Sequence, residues 1–149
     1  MRNLDYFQAF DAVINMFAAF GYFTDEENAM ILRQIAKALV PEGLFLIDLL
    51  NKEWMIKNNL NRYWRHPNSE YVLSYKAELC QGVAMMKREL VNQVTGKKEK
   101  HQFVLRIYSL NEMNTILTQS GFKIISTYGD FNFSPYTLES PRMIILAQR

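Results

Sequence analysis

Apolar residues follow two rhythms along this chain, one continuous and one helical. Phe10 to Phe17, FDAVINMF, runs with little polar alternation, the pattern of a strand buried on both faces of a parallel sheet. After AAFGYF, Thr24 and Glu27 form a capping box, with Asp25 and Glu26 placing negative charge at the positive end of a helix. Ile31, Ile35, Ala38 and Leu39 recur at helical spacing. They predict an amphipathic helix from Asp25 to Leu39 that stops before Pro41 and Gly43. Leu44 to Leu50, LFLIDLL, is a second apolar strand, so residues 10–50 read as a strand-helix-strand crossover unit.

The pattern then changes. Asn51 to Glu70 is polar and aromatic without steady period and reads as a short helix followed by a loop. From about residue 71 to 108 three antiparallel strands are predicted, Tyr71 to Leu79, Ala84 to Gln93 and Lys100 to Tyr108. Their turns fall near Cys80-Gln-Gly82 and Val94-Thr-Gly96. Residues 109–149 return to the α/β pattern. Ser109 and Glu112 make a second capping box, Leu110, Met113, Ile116 and Leu117 line one helical face, and Gly121 suits the cap. Phe122 to Tyr128 and Arg142 to Ala147 are strands. The short loop between them leaves no room for a crossover helix, so they form an antiparallel hairpin closing an otherwise parallel sheet.

Composition narrows the function classes. The chain has 149 residues, 49% apolar and 21% charged, with a formal charge of +2, an ordinary globular balance too neutral to argue for nucleic acid. KKEK at Lys97 to Lys100 reads as a solvated turn. Trp64 and Arg65 beside Tyr63 suit a surface-packed insert better than base stacking. No apolar run approaches the roughly 20 residues of a membrane span, and MRNLDYFQAF lacks the features of a signal peptide. Cys80 is the single cysteine; it excludes an internal disulfide and fits a reducing compartment, so a cytoplasmic location is expected. His66 and His101 lie in different segments without a third ligand at metal spacing, so no metal site is expected. Cys80 has no activating His evident in the sequence and reads as an incidental thiol.

The element order resembles the back half of the class I S-adenosylmethionine-dependent methyltransferase fold. FDAVINMFAAFGYFTDEEN with LRQIAKALVPEGLFLIDLLN is similar to the fourth strand, fourth helix and fifth strand of that class. LNEMNTILTQSGFKIISTYGDF resembles its last helix and sixth strand, and RMIILAQR its seventh. The class implied is α/β, a partial Rossmann-like sheet of the fourth to seventh strands with an inserted antiparallel β meander. Glu42 departs from the usual Pro-Gly-Gly.

A larger departure concerns the cofactor. By resemblance, such proteins hold S-adenosylmethionine mainly through their first half, with a Gly-rich loop after the first strand and an acidic residue after the second. No GxGxG occurs here, and the loop after the family's third strand maps to Met1, Arg2 and Asn3. Residues 1–149 are thus expected to form a single truncated methyltransferase-like domain with weak or absent cofactor binding and no turnover alone. The alternative is a noncatalytic half-domain serving assembly or regulation. Physics adds an independent point: an apolar strand such as FDAVINMF wants neighbours on both edges. A homodimer or a partner chain covering the Phe10 to Phe17 edge is therefore expected.

The resemblance nominates Met1, Arg2, Asn15, Met16 and Phe17 for the cofactor. It nominates Phe20, Gly21 and Tyr22, in the loop after the fourth strand, for the small-molecule acceptor. Aromatic rings there either enclose a sulfonium or apolar acceptor, or pack the strand-to-helix turn. TYGDFNFSPYTLESPR is the second candidate region, where Tyr128, Asp130, Phe131, Tyr136 and Arg142 either read a polar substrate or, for Asp130 and Arg142, form a local ion pair. Tyr108 is placed facing the same pocket. No acid or base is nominated, because methyl transfer mainly requires an in-line approach.

Overall fold

A computed structural model describes residues 4–58, 61–65 and 68–149. Its main sheet has four strands in the order β1-β2-β8-β7, and a second four-stranded sheet runs β3-β4-β5-β6. β1 (Phe10–Asn15) pairs parallel with β2 (Leu39–Leu50), and β8 (Arg142–Gln148) runs antiparallel between β2 and β7 (Lys123–Tyr128). The crossover between β1 and β2 is α1 (Asp25–Ala38). Its capping box is formed: the Thr24 hydroxyl accepts from the Glu27 amide and the Glu27 carboxylate accepts from the Thr24 amide. Ser109 and Glu112 repeat the device at α3 (Leu110–Gln119).

β2 begins at Leu39, directly after the helix, and not at Leu44. The reason is a bulge: Phe10 opposes Leu39 but Ala12 opposes Leu44, so the PEG stretch is looped out within the strand. Glu42 sits there at φ 63°, a left-handed conformation that glycine takes without strain and other residues pay about 1 kcal/mol to adopt.

α1 and α3 cover one face of the main sheet. Ile31, Leu32 and Ile35 of α1 and Met113 and Leu117 of α3 meet Phe45, Ile47, Met143, Ile145 and Ala147, all buried. The opposite face is buried at one end, where Asp48 and Ile144 lie, and exposed at Ile14 and Leu44. The expectation that β1 is buried on both faces is therefore corrected: Phe10, Ala12 and Ile14 are exposed, and the strand stops at Asn15. It stops because Phe17 and Ala18 turn the chain with φ of 60° and 53°, which no strand continues through.

The meander has four strands where three were predicted. α2 (Lys52–Asn58) is followed by β3 (Asn61–Arg65), in the stretch read as loop, and β3 pairs with β4 (Tyr71–Cys80). β5 (Val83–Asn92) and β6 (Lys98–Arg106) complete it. The β4–β5 link is a two-residue turn, Gln81-Gly82, with φ of 49° and 79°, the conformation that matches strand twist in tight hairpins. Tyr108 lies beyond β6 and not within the last strand. α2 caps the meander through Met55, which joins Ala77, Ala84, Met86, Leu105 and Ile107 in a second core. Among the described residues no helix is long and apolar enough to cross a membrane.

Candidate functional site

β1 and β2 are parallel, so their carboxyl ends face the same way, the position where open α/β sheets take ligands. The turn after β1 is fixed by one residue of β2. The Asp48 carboxylate accepts from the Phe17 amide at 2.7 Å, and the Asp48 carbonyl accepts from the Ala18 amide at 3.1 Å. Asp48 is fully buried, and a buried carboxylate requires a cation. Arg142, the first residue of β8, supplies it from 94 positions away, with Nε on Oδ1 and Nη2 on Oδ2 at 2.6 Å. The guanidinium also lies over the Phe131 ring, 5.2 Å from its centre. Phe131 in turn meets Phe17, with ring centres 6.2 Å apart. The product is an aromatic shelf at the end of β1, seated on a buried ion pair, whose Phe17 is 78% exposed.

The segment from Gly129 to Pro141 folds over this end and is pinned by Asn51. That side chain is fully buried. Its amide donates to the Thr137 and Ser140 carbonyls at 3.1 and 2.8 Å, and its oxygen accepts from the Glu53 amide and the Tyr136 hydroxyl. Burial and the Glu53 carboxylate, 3.5 Å away, push the Tyr136 hydroxyl up to about 12. Tyr136 thus stays protonated at neutral pH and acts as a donor. Tyr128 packs edge-on against Phe133.

One alternative raised for this segment is excluded. Asp130 and Arg142 do not pair, since Arg142 is committed to Asp48. Asp130 accepts from the Asn132 and Ser134 amides; the Ser134 hydrogen bonds hold its carboxyl below the usual range. It shapes the turn.

The loop after β1 divides between two environments. Phe20 is buried against Tyr108, with ring centres 5.8 Å apart. Tyr108 does not face the Gly129–Pro141 segment: its hydroxyl donates to Asp25 at 2.7 Å and accepts from the Asn28 amide at 2.9 Å. Burial first, then the Asp25 contact, raise its pKa. Gly21 and Tyr22 border a groove of about 650 Å³ between the start of α1 and the meander, with Asp25, Val83, Val104 and Arg106 on its walls. Gly21, at φ 103°, is required there because a Cβ would run into the Arg106 carbonyl oxygen. Asn15 is buried and Met16 partly so at the end of β1. Met1 and Arg2 lie outside the described residues, as does His66. Among the described residues no three His, Cys, Asp or Glu side chains converge on a common point where a metal would sit.

Arg106 ties the two sheets together. It donates to Asp25 of α1 at 3.1 Å, to Glu112 of α3 at 2.7 Å and to the Gly82 and Ile107 carbonyls. Lys52 of α2 adds a second cation on Glu112 at 2.9 Å. Burial would raise the Glu112 carboxyl, but hydrogen bonds from Arg106, Ser109 and Lys52 outweigh it and hold it at about 2, against an ordinary 4.5. A carboxyl depressed on folding adds stability above its unfolded pKa and loses it as pH falls through the folded one. Glu112→Gln is therefore expected to lower the melting temperature at pH 7. It should also flatten the loss of stability between pH 4.5 and 2, read from thermal unfolding at a series of pH values. Parallel acid limbs for both proteins would contradict the assignment.

No protein-family model and no curated protein matches the sequence. Solved structures do match in shape. An S-adenosylmethionine-dependent methyltransferase from Clostridium acetobutylicum superposes over 99% of this chain and 61% of its own, with TM-score 0.82 and 12% identity. The fold is that of a methyltransferase. The CcbJ methyltransferase from Streptomyces caelestis matches over 94% and 57% with TM-score 0.79 at 16% identity. CalS10, an amino pentose methyltransferase from Micromonospora echinaspora, matches over 99% and 61% with TM-score 0.77 at 16% identity. The chain thus spans about three-fifths of the length of these methyltransferases.

Sequence reasoning missed Asp48, Asn51 and Glu53. A signal for the first was available: one carboxylate inside LFLIDLL has to find a cation. Nothing in the sequence says that Arg142 is that cation.

Proposed function

We propose that this chain is the acceptor-side portion of an S-adenosylmethionine-dependent methyltransferase whose complete form moves a methyl group to a small-molecule acceptor. The observation that carries this reading is the Phe17–Phe131 shelf, held by the Asp48–Arg142 pair at the carboxyl end of two parallel strands. Exposed aromatic faces suit a sulfonium cation or an apolar part of an acceptor. The described residues fit only that side of a donor site. The Asp48 carboxylate is taken up by Arg142 and the Phe17 amide, which leaves it unavailable to ribose hydroxyls.

Bound S-adenosylmethionine supplies a methyl group on a good leaving group, so the work left to this chain is positional. Phe17 and Phe131 exclude water from one wall, Asn51 fixes the Gly129–Pro141 segment, and Tyr136 offers a hydrogen bond. CalS10, whose fold this chain shares over part of its length, is an amino pentose methyltransferase, which supports a small polar molecule as the acceptor class proposed here. The nucleoside grip then comes from elsewhere, through a partner chain on the β1 edge.

The test is a calorimetric titration of the purified chain with S-adenosylhomocysteine. No saturable heat at micromolar concentrations is expected. Micromolar affinity would mean that these residues build the donor site themselves, and the division proposed here would be wrong. A second reading, a noncatalytic assembly module, draws on the exposed β1 edge. It is favoured if a cofactor-binding partner restores donor binding but no acceptor raises turnover.

A further inference from the structure

β4, β5 and β6 pair in continuous register without a bulge, so alternation assigns each of their side chains to one of two faces. Ala77, Ala84, Met86 and Leu105 lie on the inner face, in the core that Met55 of α2 joins. One step past Ala77, Met86 and Phe103 the same face carries a cross-strand row of Tyr75, Arg88 and His101. Neighbours in such a row stand about 5 Å apart at Cβ. The backbone register also sets Arg62 of β3 opposite Tyr75.

Arg88 stands out in this row. It is half-buried, and its Nε is shut off from solvent with no hydrogen-bond partner. The carboxylates of these three strands are engaged by lysines: Glu78 by Lys87 at 2.8 Å, Glu99 by Lys97 at 3.1 Å and Glu89 by Lys100 at 3.7 Å. Among the described residues Arg88 forms no ion pair, whereas Arg106, at the end of β6, is bonded to two carboxylates and two carbonyls. On the opposite face at the level of Arg88, Lys76, Lys87 and Lys100 border a depression of about 390 Å³. Set against Glu78 and Glu89, they leave a surplus of positive charge behind the row.

A screened guanidinium N–H without a partner costs free energy that an oxyanion would recover. The guanidinium fork offers parallel N–H bonds to such an ion. The Tyr75 hydroxyl and the His101 ring bring donors from the two adjoining strands, and Met86 and Phe103 form an apolar border one step away. Donors from three strands suit the three oxygens of a phosphate group better than the two of a carboxylate.

We propose that Arg88, flanked by Tyr75 and His101, is the receptor for a phosphate group. The site shares no residue with the Phe17–Phe131 shelf and does not depend on the methyl donor. Its rival occupant is Glu99, on the same face and diagonal to Arg88. The carboxyl of Glu99 is lowered chiefly by Lys97 and more weakly by His101 and Arg88.

The test adds inorganic phosphate to the purified chain at constant ionic strength and follows the Arg88 Nε–Hε and His101 ring resonances by NMR. Saturable shifts with a Kd of about 1 mM or tighter are expected. Arg88→Leu, read through His101, should weaken binding at least about 10-fold, and Arg88→Lys, which keeps the charge without the fork, about 3-fold. Lys87→Ala lies on the other face and should change Kd less than about 2-fold. Circular dichroism confirms that the variants are folded. Phenyl phosphate binding several-fold more tightly than inorganic phosphate would identify the group as one carried on an organic molecule; equal affinity would identify the free ion. Shifts that stay linear in phosphate would overturn the proposal, as would binding that survives Arg88→Leu but is lost in Lys87→Ala. So would a wild type that binds nothing while Glu99→Gln binds, since Glu99 would then be the partner of Arg88. These readouts succeed or fail separately from the titration with S-adenosylhomocysteine.

Discussion

Arg142→Leu is expected to destabilise the chain by about 3–5 kcal/mol, the usual cost of leaving one member of a buried ion pair without its partner. Asp48 is fully buried, and the Arg142 side chain is only 20% exposed. After the substitution the carboxylate keeps one strong donor, the Phe17 amide. The loss should be visible as a lower midpoint in urea unfolding with little change in slope. Replacing both partners, Asp48→Leu with Arg142→Met, removes the orphaned charge and should recover much of the loss, because buried pairs are often close to neutral against apolar residues of similar volume. The double variant would still lose the tether on Phe17, so hydrogen exchange at the Phe17 amide should stay fast. If Arg142→Leu costs less than about 1 kcal/mol, the pair is more solvated than its geometry implies, and the aromatic shelf is not built on it.

Asn51→Leu is expected to cost about 2–3 kcal/mol, since one buried side chain satisfies two carbonyls, a backbone amide and a tyrosine hydroxyl. The damage should be local. Amides at Gly129 and Tyr136, which donate to Ser134 and Thr127, should exchange much faster while the α1 and α3 amides keep their protection. Asn51→Asp should not rescue them, because the Thr137 and Ser140 carbonyls would then face a carboxylate instead of a donor. Unchanged exchange in both variants would show that the segment holds itself in place through Asp130, Thr137 and Ser140 without the pin.

These two expectations separate what could be read along the chain from what could not. The capping boxes at Thr24 and Ser109, the Gln81-Gly82 turn and the period of α1 are local physics, and they appear in the structure close to where the residues put them. The strand inside residues 51–70 was missed because β3 is held by its pairing with β4, and five residues with no clear alternation carry little signal of their own. Phe17 and Phe20 look alike in AAFGYF and its flanks, yet one is 78% exposed and the other 2%. Tertiary contacts decide that difference: Phe20 meets Tyr108 in the core, whereas Phe17 sits where the chain turns on Asp48.

The sequence by itself determined the element types outside residues 51–70, the parallel unit at residues 10–50, the closing hairpin and the likeness to a methyltransferase sheet. Hydrophobic period, caps and turn residues act over a few positions, and such information survives in one dimension. Only the tertiary structure decided that Asp48 pairs with Arg142, that Asn51 pins a segment some 85 residues away, that Arg106 joins two helices to the meander, and that Tyr108 belongs to the core. Each depends on which buried polar group happens to lie within hydrogen-bond reach of another across the fold. The cost of burying such a group alone fixes that it must be paired, and only the packing of the sheets determines with what.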